Sequence, residues 1–348
     1  MITDKAGGNG KPEEADGRGK FLREAAGRRL TLFAAGMILF AAAALLCAAA
    51  YTQKGMEKYR IAMIVKSTES DFFQSVFSGA NVAATEYNAA LTTQGAETEE
   101  DYFEQNRMID KAVSDGADAL VISAVDYQEN AAAVDRASEA GLQIVVIDSD
   151  VDSAAVKCRI GTDNYAFGRM AAQAIKEQMG EQELRIGIVN FDENTANGQE
   201  RETGFREEIG NIAEPASVDT INVLSTTEDA RAGTKKLLAQ HPDINVIVTF
   251  NEWTSLGVGW AIRDLSCGDE VMVVACDSNT VSVGMLEAGE VDALIVQNPY
   301  AMGYLGVEAA CRLLAGKKVD ARIDTATTLV TRETMYLPEY QKILFRYK

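Results

Sequence analysis

The sequence predicts an α/β protein with two Rossmann-like parallel-sheet lobes, preceded by one transmembrane helix. Short runs rich in Val and Ile alternate with helical stretches along most of the chain, and this pattern occurs twice with a period of about 125 residues. An apolar run without charges lies near the N-terminus. The 348 residues are enough for two domains after an N-terminal segment.

The N-terminal segment predicts a tail and a membrane anchor. Residues 1–29 are rich in Gly and charges without an apolar period, which is typical of a disordered tail. Residues 30–51 carry no charge, and as a helix they would measure roughly 33 Å, close to the thickness of a hydrocarbon core. Positive charges before this run place the tail in the cytoplasm and the bulk of the chain outside. These charges are Lys20, Arg23, Arg28 and Arg29.

Three interpretations of the run at 30–51 remain open. We favour an uncleaved signal-anchor, because the run is longer than the apolar core of a usual signal peptide. The small residues before Tyr51 leave open a cleaved signal peptide and a secreted protein. A lipoprotein attached through Cys47 is disfavoured, because the bulky Leu46 precedes it. In each case the rest of the chain works outside the cytoplasm.

The first lobe begins at Tyr59. The strand "YRIAMIV" is followed by the helix "FQSVFSGANVAATEYNA", whose apolar residues recur at helical spacing. The runs "ADALVIS" and "LQIVVID" follow further helical stretches. Val and Ile runs linked by helices are typical of a parallel sheet that is buried on both faces.

The second lobe repeats this order. "LRIGIVNFD" corresponds to the first strand, and "HPDINVIVTFNE" and "EVMVVACDSN" correspond to the next two; "DALIVQNPY" adds a further strand. In open parallel sheets, ligands bind outside the carboxyl ends of the strands. The residues that end each strand are therefore the candidate site residues.

The strand ends combine aromatic rings, carboxylates, amides and an arginine, a mixture that suits a polyhydroxylated ring. Aromatic faces cover the C–H side of a sugar, and polar side chains pair with its hydroxyls. In the first lobe these residues are Ser70, Asp71, Phe72, Phe73, Ser123, Asp126, Asp148 and Ser149. In the second they are Asp192 with the loop to Arg201, Asn251, Glu252, Cys276, Asp277, Gln297 and Asn298.

Composition and motifs exclude several other functions. The net charge of −19 argues against a nucleic-acid partner. The single histidine, His241, argues against histidine metal sites and a Ser-His-Asp hydrolase, and the first turn lacks a Gly-x-Gly-x-x-Gly motif for a dinucleotide. Asp148 and Asp277 could imitate a glycosidase pair, but they lie on separate lobes, and catalysis needs fixed geometry. We expect no cofactor, no metal and no enzyme activity.

In the order of its strands, helices and strand-end residues, the chain resembles the periplasmic sugar-binding proteins of the ribose-binding type, which share their fold with the cores of lactose-repressor-like regulators. The similarity covers about Tyr59 to Thr334. The segments that carry it are "STESDFFQSVFSGA", "ADALVISAVD", "IVVIDSD", "GTDNYAFGRMAAQAI", "GQERETGFREEI", "HPDINVIVTFNEWTSLGVGWAI", "VMVVACDSNTVSVGMLEAGEVDALIVQNPYAMGYLGVEAA" and "TTLVTRE". A DNA-binding regulator is disfavoured, because the membrane run stands where a helix-turn-helix would be needed.

The resemblance assigns a role to each matching position. It implies that two rings flank the sugar, that each lobe supplies one carboxylate, and that an arginine, an amide and a glutamine complete the site. These residues are, in the same order, Phe72 and Phe73, Asp148 and Asp277, Arg201, Asn251 and Gln297.

The departures from the family pattern put ribose itself in doubt. Ser149 stands where ribose binders have an arginine, and Ser70 and Ser123 stand where asparagine is expected. Cys276 replaces an aromatic residue of the second lobe, and Trp253 is the candidate replacement.

The resemblance also implies the domain layout. Lobe one is expected at 59–161 and 298–324, lobe two at 162–297 and 327–334, and a C-terminal tail at 335–348. Three crossovers, at "GTDN", "QNPY" and "DTAT", would form a hinge on which the lobes close around the ligand.

The sequence therefore predicts an extracytoplasmic, membrane-anchored solute-binding protein that captures a monosaccharide or related polyol for an ABC permease. The alternative is a ligand-sensing subunit that signals to a membrane histidine kinase.

Overall fold

The computed structural model describes residues 36–45 and 58–345. Residues 36–45 form a helical stretch within the predicted anchor at 30–51. The rest of that segment and the predicted tail at 1–29 lie outside the described residues. In the part of the chain that the structure describes, no helix has both the length and the apolar character that crossing a membrane requires.

From Tyr59 onward the chain forms one compact unit in which strands and helices alternate. The strands are β1 (Arg60–Val65), β2 (Ala90–Gly95), β3 (Ala119–Ile122), β4 (Gln143–Ile147), β5 (Val156–Gly161), β6 (Arg185–Phe191), β7 (Ser217–Val223), β8 (Val246–Thr249), β9 (Met272–Cys276), β10 (Ala293–Val296), β11 (Arg322–Asp324) and β12 (Thr328–Thr331). The helices are α1 (Asp71–Glu86), α2 (Tyr102–Ser114), α3 (Ala131–Glu139), α4 (Asn164–Met179), α5 (Ala196–Ile212), α6 (Thr227–Gln240), α7 (Glu252–Leu265), α8 (Thr280–Ala288), α9 (Pro299–Leu314) and α10 (Pro338–Leu344).

Two sheets define two lobes, as the repeated sequence pattern predicts. The strand order is β11-β5-β4-β3-β1-β2 in the sheet of lobe one and β12-β10-β9-β8-β6-β7 in the sheet of lobe two. Neighbouring strands are parallel except for β12, which runs antiparallel to β10. The central strands β3, β8 and β9 are fully buried, because helices cover both faces of each sheet.

Glycines allow an equivalent pair of helices to pack closely in each lobe. In lobe one, a Cβ on Gly79 of α1 or Gly303 of α9 would collide with the backbone of the other helix. In lobe two, a Cβ on Gly168 of α4 or on Gly204 of α5 would likewise collide with the backbone of the other helix. The duplication is therefore visible in helix packing as well as in strand order.

The chain passes between the two sheets three times. It leaves the first sheet after β5, returns to it with β11, and crosses again to add β12 to the second sheet. The strand ends of both sheets thereby flank one gap.

The segment at 335–348, predicted as a tail, is ordered into a helix over much of its described length. Helix α10 begins with Pro338 at its N-terminal turn, and Met335 and Leu344 are buried in the core of lobe two. These two side chains provide the apolar contact that fixes the segment. The sequence analysis did not recognise this contact and therefore predicted a tail.

Candidate functional site

The carboxyl ends of the two sheets enclose a cavity with about 310 Å³ free of protein atoms, including the part open to solvent. Lobe one contributes Lys66, Ser70, Phe72, Phe73, Glu99 and Asp148 to its lining. Lobe two contributes Phe191, Asn197, Arg201, Asn251, Glu252, Asp277 and Gln297.

Two phenylalanines at the start of α1 form an apolar wall. Ser70 caps the helix, because its Oγ accepts a hydrogen bond from the backbone N–H of Phe73 at 3.1 Å. The rings of Phe72 and Phe73 meet edge to face with centroids 5.1 Å apart, and both side chains are buried. Phe191, at the end of β6, adds an aromatic ring from the other lobe.

Arg201 organises the lobe-two half of the site. Its guanidinium is buried and donates hydrogen bonds to Asn164 Oδ1 at 2.9 Å, to the carbonyl oxygen of Phe250, and to Gln297 Oε1 at 2.8 Å. It also lies over the ring of Phe167 at 4.7 Å. These contacts lie within lobe two, so the guanidinium is fixed independently of lobe one.

Asp277 is attached to the same network. The amide nitrogen of Gln297 lies 3.0 and 3.2 Å from its two carboxylate oxygens. Burial raises the pKa of the Asp277 carboxyl, and the nearby Arg201 opposes this shift. Its backbone has a φ of 67°, which turns the chain sharply at the end of β9.

Asp148 holds the equivalent position in lobe one, at the end of β4 with a φ of 57°. Ser123 Oγ donates a hydrogen bond to its Oδ2 at 2.8 Å. Asn197 of lobe two donates to its Oδ1 at 3.3 Å and accepts a hydrogen bond from Lys66 at 3.2 Å. Asn197 therefore joins two lobe-one side chains across the cavity.

Glu252 makes a second link between the lobes. Its Oε2 accepts a hydrogen bond from the backbone N–H of Phe72 at 3.2 Å, in the first turn of α1, and its Oε1 accepts one from Asn279 at 2.7 Å. A carboxylate suits a helix N-terminus, where backbone N–H groups are unpaired. Burial nevertheless dominates and raises the pKa of Glu252 to about 7.

A third link, the Glu99 clasp, joins Glu99 and Glu100 of lobe one to Ser225 and Asn251 of lobe two. Ser225 Oγ donates to Glu99 Oε2 at 2.7 Å, and Ser225 N–H donates to Glu100 Oε1 at 2.6 Å. The amide nitrogen of Asn251 donates to Ser225 Oγ at 2.6 Å and lies 3.4 Å from Glu99 Oε2. Burial raises the pKa of Glu99.

The structure brings most of the sequence-predicted residues into the cavity lining. They are Ser70, Phe72, Phe73, Asp148, Arg201, Asn251, Asp277 and Gln297. Two of these have their polar atoms engaged elsewhere, because Ser70 caps α1, and Asn251 caps α7 while its amide belongs to the Glu99 clasp. Whether each residue contacts a ligand stays a prediction.

Other predicted residues do not line the cavity. Five of them are strand-end candidates, namely Asp71, Asp126, Asp192, Cys276 and Asn298, and the others are Ser123, Ser149 and Trp253. Ser123 lies behind Asp148 and orients it. Ser149 is buried, and its Oγ has no hydrogen-bond partner among the residues that the structure describes. Trp253 lies beyond the Glu99 clasp, where it borders a neighbouring cavity that is also lined by Glu99 and Ser225.

Sequence reasoning did not assign five of the lining residues to the ligand, for different reasons. Lys66 and Phe191 end β1 and β6, so the strand-end rule would have found them. Glu252 is a predicted strand-end residue that was not assigned to the ligand. Glu99 follows β2, an edge strand whose "ALTTQG" sequence lacks an apolar run, and Asn197 lies in the first turn of α5.

The described residues offer no evident metal site. Across 36–45 and 58–345, no group of three His, Cys, Asp or Glu side chains is placed to hold a metal ion. The cysteines that the structure describes are free thiols, namely Cys158, Cys267, Cys276 and Cys311.

Comparisons with known proteins identify similar chains. Residues 61–318 match the family model described as the periplasmic binding protein domain. The D-ribose/D-allose-binding protein of Pseudomonas aeruginosa is 27% identical over 327 residues, which cover 89% of this chain and 99% of that protein. An ABC transporter solute binding protein from Agrobacterium vitis, solved with bound D-fucose, is 30% identical with a TM-score of 0.79, and the match covers 82% of this chain and 100% of that one. A chain of the XylFII–LytSN complex is 25% identical with a TM-score of 0.73, and the match covers 80% of this chain and 99% of that one.

Proposed function

Because the chain belongs to the periplasmic binding protein family, we propose that it captures a monosaccharide or related polyol between its two lobes for an ABC transporter. The supporting observation is the cavity itself, in which aromatic rings from both lobes face a set of carboxylates, amides and cations. Rings of this kind cover the C–H face of a sugar, and the polar groups pair with its hydroxyls. Membership of a family of binding proteins also agrees with the prediction that the chain is not an enzyme.

The charges in the cavity favour an uncharged ligand over a sugar phosphate or a sugar acid. Its lining carries the carboxyl groups of Glu99, Asp148, Glu252 and Asp277 against the two cations Lys66 and Arg201. A ligand anion would add negative charge where burial already raises the pKa of Glu99, Glu252 and Asp277. A neutral polyol meets no such cost.

Three of the links between the lobes, those made by side chains that line the cavity, support capture by lobe closure. Asn197, Glu252 and the Glu99 clasp each connect lobe one to lobe two around the cavity. Opening the gap to admit a ligand would break these hydrogen bonds, and closing it would restore them. The apolar run at 30–51 would tether the protein to the membrane on the outer side, beside a permease.

The second candidate function is a ligand-sensing subunit for a membrane histidine kinase. It is favoured by the match to a chain of the XylFII–LytSN complex, which assembles two different proteins. The uncharged run at 30–51 also suits a receptor that stays at the membrane. Genes for a permease and ATPase beside this one would support transport, whereas genes for a kinase and response regulator would support sensing.

Calorimetric titration of the full-length protein tests sugar capture. The ligands are D-ribose, D-allose, D-arabinose, D-fucose, D-tagatose and myo-inositol, and we expect micromolar binding of at least one, which corresponds to about −8 kcal/mol. Asp148→Ala and Asp277→Ala should each abolish that binding while the protein stays folded by circular dichroism. Asp110→Ala, at an exposed ion pair with Arg136 on the surface, serves as the matched control and should bind normally. Unchanged affinity in both site variants would refute the site, and no binding of any of the six ligands would refute the proposed function.

A further inference from the structure

Glu99 and Ser225 are buried, although the loops that carry them are open to solvent. Glu99 follows β2 and is 9% exposed, whereas its neighbours Glu97 and Thr98 are exposed. Ser225 follows β7 and is 5% exposed, directly after the exposed Leu224. The two loops belong to different lobes, and Glu99 is hydrogen-bonded to Ser225 across the boundary. The opposing lobe therefore covers each of these two residues.

The Glu99 clasp lies at the edge of the fold opposite the crossovers. The strands that precede it, β2 and β7, are the last strands at one edge of their sheets. The chain passes between the lobes beside β5, β10, β11 and β12, which lie at the other edge of each sheet. A rotation of the lobes about these crossovers would separate the edge of β2 and β7 most. The clasp therefore joins the lobes where opening moves them farthest apart.

The clasp also separates two cavities. Glu99 lines both the cavity between the sheets and the neighbouring cavity, whereas Ser225 lines the neighbouring cavity but not the one between the sheets. The neighbouring cavity is open to solvent, because it is bordered by the exposed side chains of Glu69, Glu97 and Glu228. The clasp is therefore part of the wall between the proposed sugar site and the solvent.

Ser225 holds this wall together through three hydrogen bonds. Its Oγ donates to Glu99 Oε2 at 2.7 Å and accepts from the amide nitrogen of Asn251 at 2.6 Å, and its N–H donates to Glu100 Oε1 at 2.6 Å. Two of these bonds reach carboxylates of the other lobe, and hydrogen bonds to charged acceptors are the stronger ones. Without the hydroxyl, Glu99 Oε2 would keep only its 3.4 Å contact to Asn251 among the described residues. A buried carboxylate that lacks a donor favours the open lobes, because water solvates it there.

We propose that Ser225 is a positioning residue that holds the lobes closed through the Glu99 clasp and slows release of the captured polyol without contacting it. The ligand enters while the lobes are apart, so the clasp leaves the association rate unchanged. Release requires the lobes to separate first, so its rate rises when the clasp is weakened. This inference rests on the proposed function and extends it from what the site binds to how long the ligand stays.

Four variants test the clasp from both lobes. Ser225→Ala removes the hydroxyl and keeps the N–H bond to Glu100, and Ser225→Thr is the conservative variant, whose added methyl group has room in the neighbouring cavity. Glu100→Ala weakens the clasp from lobe one, because it removes the acceptor of the Ser225 N–H and does not line the cavity between the sheets. Ser153→Ala is the matched control, because Ser153 is a buried serine whose Oγ donates to Asp135 at 2.5 Å within lobe one.

Stopped-flow tryptophan fluorescence on the full-length protein measures association and release separately. Trp253 borders the neighbouring cavity and therefore provides a signal beside the clasp. The probe is whichever of the six ligands of the calorimetric titration binds the wild type best. The observed rate, plotted against the concentration of that ligand, gives the association rate from its slope and the release rate from its intercept. Circular dichroism verifies that each variant is folded.

We expect Ser225→Ala to release the ligand at least tenfold faster, with an association rate within twofold of the wild type. Ser225→Thr should recover most of this loss, Glu100→Ala should release at least threefold faster, and Ser153→Ala should match the wild type. Release within twofold of the wild type in Ser225→Ala, or in Glu100→Ala should the former not fold, would overturn the proposal and leave sugar capture intact. Equal acceleration in Ser153→Ala would also overturn it, because the effect would then follow from lost stability. A wild type that binds none of the six ligands would instead remove the proposed function, and this inference with it.

Discussion

Asp148 of lobe one and Asp277 of lobe two occupy equivalent positions but are held in different ways. Both follow a buried strand, both have a positive φ, and each N–H donates to a neighbouring strand, at Ile160 and Ile295 respectively. Asp277 receives its side-chain hydrogen bonds from within lobe two, through Gln297. Asp148 receives one from its own lobe and one from Asn197 of the other lobe.

This difference indicates that duplication kept the backbone and let the two halves of the site diverge. The lobe-two half is fixed by its own buried network around Arg201, so it would keep its shape when the lobes separate. The lobe-one half gains part of its hydrogen bonding only from lobe two. We therefore expect lobe two to present a preformed surface, and lobe one to complete the site on closure.

The largest expected effect comes from breaking the lobe-two network at Arg201. Arg201→Met would leave the buried Asn164 Oδ1 without its donor and would remove one hydrogen bond from Gln297. We expect a loss of about 3–5 kcal/mol in the free energy of unfolding, the range for breaking a buried charged network. Urea unfolding followed by circular dichroism measures it.

Ser123→Ala is the lobe-one counterpart for that measurement. It removes one hydrogen bond to Asp148, which keeps its second bond from Asn197. We expect a loss of about 1 kcal/mol. If the two variants were equally destabilised, the proposed contrast between a preformed and a completed half would be wrong.

The two parallel-sheet lobes were predictable from the sequence, because the two features that specify them are local and repeated. Val and Ile runs such as those of β3 and β8 predict buried parallel strands, and their repetition predicts the second lobe. The crossovers that bring β11 to the first sheet and β12 to the second came from the resemblance. The edge strands β2 and β7 carry few apolar residues, so a search for apolar runs misses them.

The site was predictable only in part, because strand-end position does not determine where a side chain points. Asp148 and Ser149 are adjacent, yet Asp148 lines the cavity whereas the serine hydroxyl is buried away from it. Links between lobes could not be inferred from either lobe alone. The sequence marks Glu252 only as a strand-end residue, and only the opposing α1 shows why a carboxylate stands there.

The pH dependence of the link made by Glu252 is expected to have a smaller effect than Arg201→Met. Its pKa in the fold is about 7, above its ordinary value of 4.5, so the folded protein binds this proton more tightly than the unfolded chain. The favourable contribution is therefore complete below pH 4.5 and is lost as the pH rises to 7. Its upper limit is on the order of 3 kcal/mol.

Glu252→Gln isolates this contribution, because glutamine does not titrate while Glu99 and Asp277 remain in both proteins. We expect the free energy of unfolding of the wild type, relative to the variant, to fall between pH 5 and pH 8. Urea unfolding at intervals across that range measures the difference. A difference that stays constant with pH would show that the fold does not raise the pKa of Glu252, and would contradict its burial between the lobes.

The smallest expected effect concerns the serines that follow the two aspartates. Ser149 and Ser278 are both buried, and the Oγ of neither has a hydrogen-bond partner in the part of the chain described. Removing a buried hydroxyl that is unsatisfied should cost nothing, so Ser149→Ala and Ser278→Ala should each leave stability unchanged or raise it by up to about 1 kcal/mol. Sugar affinity should also stay within twofold of the wild type by calorimetry. A tenfold loss of affinity in Ser149→Ala alone would mean that this serine turns toward the ligand, and that the two aspartate turns differ in backbone as well as in surroundings.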